Sequence, residues 1–185
     1  MIFRRDPLRE AAARLYAEAV AQARRPDFYE SAGVPDSLDG RFEMVALHVF
    51  LIMRRLRGEG VQAEALSRRV AEDLFADMDA NLREMGVGDL GVGPRVRRMA
   101  KAFYGRAAAY DAGLEESAGP ATLADALRRN LYGTVAAAPG QAERMAAYVR
   151  AAAAALAAQP VEAVLAGRVR FEAGPAPPGA GPASR

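Results

Sequence analysis

Apolar residues recur at helical spacing through most of the chain and mark out one helix after another. Behind Asp6-Pro7, the positions Leu8, Ala12, Leu15, Ala19 and Val20 form a stripe that fades at Arg24-Arg25-Pro26. Residues 41–57 are apolar almost all round (Phe42, Met44, Val45, Leu47, Val49 to Met53, Leu56), which predicts a helix packed on several sides and serving as the core axis. Its last turn is basic, with Arg54, Arg55 and Arg57, and Gly58 and Gly60 stop it. Over 63–85, Leu66, Val70, Leu74, Phe75, Met78 and Leu82 share one face, and Glu72, Asp73, Asp77, Asp79 and Glu84 lie elsewhere. A fourth helix is predicted over 94–112, shorter ones over 122–131 and 141–158, and Pro160 permits one more turn. Residues 27–40, DFYESAGVPDSLDG, have the turn residues of a polar connection. No segment alternates as a strand does, and no repeat recurs. The pattern predicts an all-α fold, an irregular single-domain bundle of about six helices over residues 1–172. A disordered Pro/Gly-rich tail is expected over 173–185.

Between the third and fourth helices lies GVGDLGVG, with the spacing G-x-G-x-x-G at Gly86, Gly88 and Gly91. A dinucleotide site needs a strand before that spacing, a helix opening inside it and an acid on a second strand about 20 residues on. The preceding DANLREM is amphipathic helix instead, so the nucleotide reading fails. Gly86 is placed to cap the third helix in a left-handed conformation, with the remainder a tight connection ending at Pro94.

Composition narrows the chemistry further. With 51% hydrophobic residues in 185, the chain can bury one sizeable core. Cysteine is absent and His48 is the sole histidine, which removes disulfides, thiolate sites and most nucleophilic triads. Within the core helix, His48 is expected to be a satisfied buried side chain. Asp73 and Asp77 share a face but lack the companions of a metal site, so neither metal nor cofactor is expected, and no enzyme. The opening residues lack a secretory pattern, and no apolar run reaches the ~20 residues of a membrane span. A soluble cytoplasmic protein is expected. The net charge of +2 is mild and gives no reason to expect DNA binding.

The fourth helix carries the one unusual charge pattern. Val96, Met99, Ala100, Phe103, Ala107 and Tyr110 span an apolar arc of about 100°. Arg95, Arg97, Arg98, Lys101 and Arg106 fill the rest, with no acid before Asp111. This basic face is expected either to be plainly solvated or to meet a polyanion, a ribosome or an acidic partner.

Two long stretches carry a resemblance to a known family. FYESAGVPDSLDGRFEMVALHVFLIMRRL (28–56) and LFADMDANLREMGVGDLGVGPRVRRMAKAFYGR (74–106), with a later NLYG at 130–133, resemble the ubiquinol-cytochrome c chaperone family. The likeness runs from about Tyr16 to Tyr148 and points to a bacterial member. The chain departs from the family pattern at Pro94, where a basic residue is expected. The resemblance implies an all-α, non-catalytic assembly factor for the cytochrome bc1 complex, one that binds newly made cytochrome b or another bc1 subunit. It also implies a ribosome or a small partner protein as further contacts, and a peripheral position at the cytoplasmic face of the inner membrane. On the family-like stretches, Phe28, Tyr29, Asp36, Asp39, Arg41, Met85, Phe103 and Tyr104 are the expected client or partner contacts. A ribosome- or RNA-binding module using the basic face at 95–106 is the competing expectation.

Overall fold

In the computed structural model, which describes residues 6–175, the Asp6 carboxylate accepts the backbone N–H of Leu8 at 3.1 Å and opens the first helix. Pro7, with its fixed φ and no N–H to satisfy, follows at the first helical position, and α1 runs Pro7–Ala23. The order continues α2 (Pro26–Glu30), α3 (Leu38–Leu56), α4 (Val61–Glu84), α5 (Asp89–Leu114), α6 (Pro120–Asn130), α7 (Gln141–Ala157) and α8 (Val161–Leu165). Among the described residues there is no strand. The six long helices are those the periodicity predicts. The other two, α2 and α8, have five residues each, and all of α2 but Pro26 lies inside the stretch expected to be a plain connection.

Two boundaries differ from expectation. The core helix begins at Leu38, because Ser37 Oγ accepts the Gly40 N–H at 3.1 Å and nucleates an earlier turn than the apolar run reveals. The glycine corner is shorter than expected. Gly86 does cap α4 with φ +79°, its N–H bonding Arg83 O at 2.9 Å while Val87 N–H reaches Leu82 O at 3.0 Å. But α5 opens at Asp89, so Gly91, Gly93 and Pro94 are helical and Pro94 sits inside the helix rather than at its start. A proline there removes one backbone bond and crowds the carbonyl four residues back. That carbonyl belongs to Leu90, which is 96% exposed, so water can satisfy it.

The bundle is organised on α3. Met44, Leu47, Val49, Phe50, Leu51, Ile52 and Leu56 are buried, and α1, α4, α5 and α7 all pack against the helix. Small residues on α1 (Ala11, Ala12, Ala19, Ala23) bring it close to α3 and α4, while α6 bridges α5 and α7. One polar chain crosses this core. Gln22 Nε2 donates to Tyr148 Oη at 3.0 Å, Tyr148 donates to His48 Nε2 at 2.7 Å, and His48 Nδ1 donates to Met44 O at 2.7 Å. The rings of Phe28 and Phe171 close over His48 at 5.4 and 5.1 Å. His48 is satisfied and fully enclosed; burial pulls its pKa down to about 4, so it is neutral.

The segment after α8 lies back on the bundle. Gln159 bonds Arg170 N–H and O through both ends of its amide, at 2.9 and 2.7 Å, and Gln22 reaches Glu172 O at 2.8 Å. Of the expected tail, Gly174 sits against Asp27 and Pro175 is buried, while 176–185 lie outside the described residues. No helix among the described residues is long and apolar enough to cross a membrane.

Candidate interaction groove

Where the first turns of α3 meet the middle of α5 and the end of α6, the surface opens into a groove of about 470 Å³. Asp39, Gly40, Phe42 and Glu43 come from α3, and Arg98, Met99, Ala102 and Arg106 from α5. Residues 129–131, Gly133 and Thr134 close the third side. The third side is anchored from below. Tyr132 is buried and donates its hydroxyl to Ala32 O at 2.8 Å, which fixes the NLYG turn against the loop after α2. At about 100° per residue, Arg98, Ala102 and Arg106 fall on one stripe of α5 and wall the groove. Leu90, Arg97, Lys101 and Tyr104 fall on the neighbouring outer stripe.

The floor is a buried carboxylate. Glu43 Oε1 is 2.9 Å from Arg106 Nη2, and Glu43 Oε2 is enclosed without a hydrogen-bond partner among the described residues. Loss of solvent pushes the Glu43 pKa up to about 7, although the Arg106 charge pulls the other way. On the rim, Arg98 and Arg129 are exposed and have no ion-pair partner among the described residues, and Asp39 is exposed beside them. The arrangement offers two free guanidiniums, one free carboxylate and one buried acceptor. That set can hold a charged or hydrogen-bonding occupant.

The expected contact residues do not share one surface. Asp39 lies in the groove itself. Tyr29, Asp36 and Arg41 form a separate polar cluster on the approach to α3. Arg41 pairs with Asp36 at 2.6 Å and stands 6.0 Å over the Tyr29 ring, whose hydroxyl donates to Ala23 O at 2.7 Å. Met85, exposed at the end of α4, belongs to the α4–α5 corner with Leu90. Phe28 and Phe103 are enclosed: Phe28 packs edge-on against His48 and Tyr148, and Phe103 against Phe75. They shape the bundle and present no surface. Tyr104 leans on Phe75 and Phe103 yet remains half exposed.

The basic face needs one correction. Arg95, Arg97, Arg98 and Lys101 are exposed and unpaired among the described residues, but Arg106 turns inward to Glu43. Spacing along α5 finds no acid for it because the acid is on α3. Glu43 and Arg129 are the groove residues that sequence reasoning missed. The available signal for Glu43 was a single carboxylate interrupting an otherwise apolar helix. On α4, Asp77 accepts the Tyr16 hydroxyl at 2.7 Å and Asp79 pairs with Arg83 at 2.6 Å. No group of three or more metal-ligating side chains occurs among the described residues.

Comparison with known proteins bears on the same stretches. The family profile described as Ubiquinol-cytochrome C chaperone matches residues 30–171. The ubiquinol-cytochrome-c reductase complex assembly factor 1 of Xenopus laevis is 29% identical over 140 residues, which cover 76% of this chain and 69% of that protein. The assembly factors 1 of Mus musculus and Homo sapiens are each 28% identical over 141 residues, and there the match spans under half of the relative, 47% and 46%. The crystal structure of the Cbp3 homolog from Brucella abortus superposes with a TM-score of 0.81 at 37% identity, covering 90% of this chain and 91% of that one.

Proposed function

The chain belongs to the ubiquinol-cytochrome c chaperone family, and from that premise we propose that it is a non-catalytic assembly chaperone of the ubiquinol-cytochrome c reductase (bc1) complex. Its client is newly made cytochrome b, received in the groove between α3, α5 and α6. One observation carries this reading. The three family-like stretches, 28–56, 74–106 and 130–133, lie apart in the chain, and each contributes a wall of that one groove. The mixture of free charge and exposed apolar edge suits an occupant that must be held and then released. His48, the only imidazole, is closed to solvent and unavailable to a substrate.

The test is recovery of the client. A tagged chain purified from cells assembling the bc1 complex is expected to bring cytochrome b with it, and deletion should deplete the haem b and haem c absorbance of that complex. Normal spectra in the deletion strain would overturn the reading. The outer stripe of α5 supports a second contact, with a small partner, a ribosome or the inner-membrane surface, since its cations are unpaired among the described residues. Arg97→Glu with Lys101→Glu is expected to lower bc1 content while circular dichroism stays unchanged; wild-type bc1 levels would remove that contact. These same cations favour the competing reading, an RNA-binding module. It predicts salt-sensitive RNA binding with no spectral change on deletion.

A further inference from the structure

Glu43 is the only carboxylate-bearing residue in the buried set among the described residues, and its burial is only half compensated. A desolvated carboxylate is stable when its lone pairs are met by donors. Arg106 meets Oε1, and nothing among the described residues meets Oε2. The side chain lines the groove, so a donor that meets the ionised Oε2 can reach it from that side. Charge on the rim is unbalanced in the opposite sense. With Arg106 paired to Glu43, Asp39 is the one other acid lining the groove beside Arg98 and Arg129, which leaves one guanidinium without a counter-charge among the described residues. Two exposed apolar residues adjoin lining residues in the chain: Leu38, next to Asp39, is 59% exposed, and Val135, next to Thr134, is 47% exposed.

We propose that the groove takes an acidic segment of the client chain, whose carboxylate is held between Arg98 and Arg129 while one of its N–H or O–H groups donates to Glu43 Oε2. Apolar residues of the same segment cover Leu38 and Val135. The inference rests on the groove being the client site. It adds the chemistry of the occupant, which is a peptide with an acid, a donor and apolar flanks. Guanidiniums suit this role because they bind a carboxylate with paired, directional N–H groups. A buried acceptor left open for a donor penalises occupants without one, which makes Glu43 a selector as well as a contact.

The probe is a set of overlapping, fluorescently labelled peptides spanning cytochrome b, titrated against the full chain by anisotropy. Peptides bearing Asp or Glu beside apolar residues are expected to bind best. Arg98→Glu with Arg129→Glu should weaken them roughly tenfold or more, and replacing the peptide's acid by lysine should restore binding to that variant. Glu43→Gln, which puts an amide N–H where an acceptor stood, should weaken the same peptides without changing the circular dichroism. Arg98 and Arg129 are exposed, so their substitution leaves the bundle folded. Equal binding by wild type and both variants overturns the proposal, as does a preference for basic peptides. So does binding of phosphatidylglycerol vesicles, with no peptide bound, that the double variant abolishes. The functional reading fails separately, when the wild-type chain recovers no cytochrome b from cells. If recovery is normal and unaffected by these variants, only the present inference falls.

Discussion

Gly40→Ala should destabilise the protein by roughly 3 kcal/mol and lower its thermal midpoint by about 6–12 °C. The usual expectation for such a change has the opposite sign. Alanine in a helix restricts the unfolded chain more than glycine does, and in an open position it stabilises by roughly 0.5–1 kcal/mol. At residue 40 a Cβ would lie 2.0 Å from the Pro35 carbonyl oxygen and 3.0 Å from its carbon, so two stretches of backbone would have to separate. The residues that would move are the Pro35-to-Asp39 entry of α3 and, with it, the groove wall. Gly105→Ala is the control. Its added methyl meets nothing within 4 Å on the exposed side of α5, and the midpoint should hold or rise. Calorimetry of the two variants decides the matter; a Gly40→Ala midpoint at or above wild type would show that the approach of Pro35 is not rigid.

That contrast also shows what the sequence could and could not reveal. The core axis was legible because an all-round apolar helix has only one place to go, and α3 lies there. Gly86 was legible because a left-handed cap has a local signature. Pro94 was misread because proline is commonest at the first helical position, and nothing local reveals that an exposed second turn tolerates it. The five-residue α2 has too few positions for any period to register. Phe28 and Phe103 sit in the recognisable stretches, yet a stretch can be distinctive for what it packs as well as for what it presents. The Glu43–Arg106 pair was out of reach. Spacing along α5 describes the face of one helix and carries no information about the helix opposite.

The second large effect is one that the wild-type protein conceals. His48 has its pKa drawn down from 6.5 to about 4 by burial, so the unfolded chain takes up its proton first as pH falls. This group therefore removes stability between about pH 6.5 and pH 4, by about 3 kcal/mol in all. Glu43 has its pKa pushed up from 4.5 to about 7, chiefly by desolvation, so here the folded chain takes up the proton first. As pH falls from 7 to 4.5 it returns a similar amount, about 3 kcal/mol. The two groups lie on the same helix and titrate over nearly the same window with opposite sign. The wild type should accordingly show little net slope from them between pH 6.5 and 4.5. Each single variant exposes the other group. Relative to wild type, Glu43→Gln should lose stability progressively as pH falls across that window, and His48→Gln should gain it. Any fixed cost of the substitution, such as an Arg106 without its carboxylate, shifts a curve without tilting it. The remaining carboxylates titrate alike in all three proteins and cancel in the differences. Denaturant midpoints at half-unit pH steps measure those differences directly. Curves that run parallel would mean that neither proton is coupled to folding, and that Glu43 is ionised in the empty groove at neutral pH as an ordinary surface acid would be.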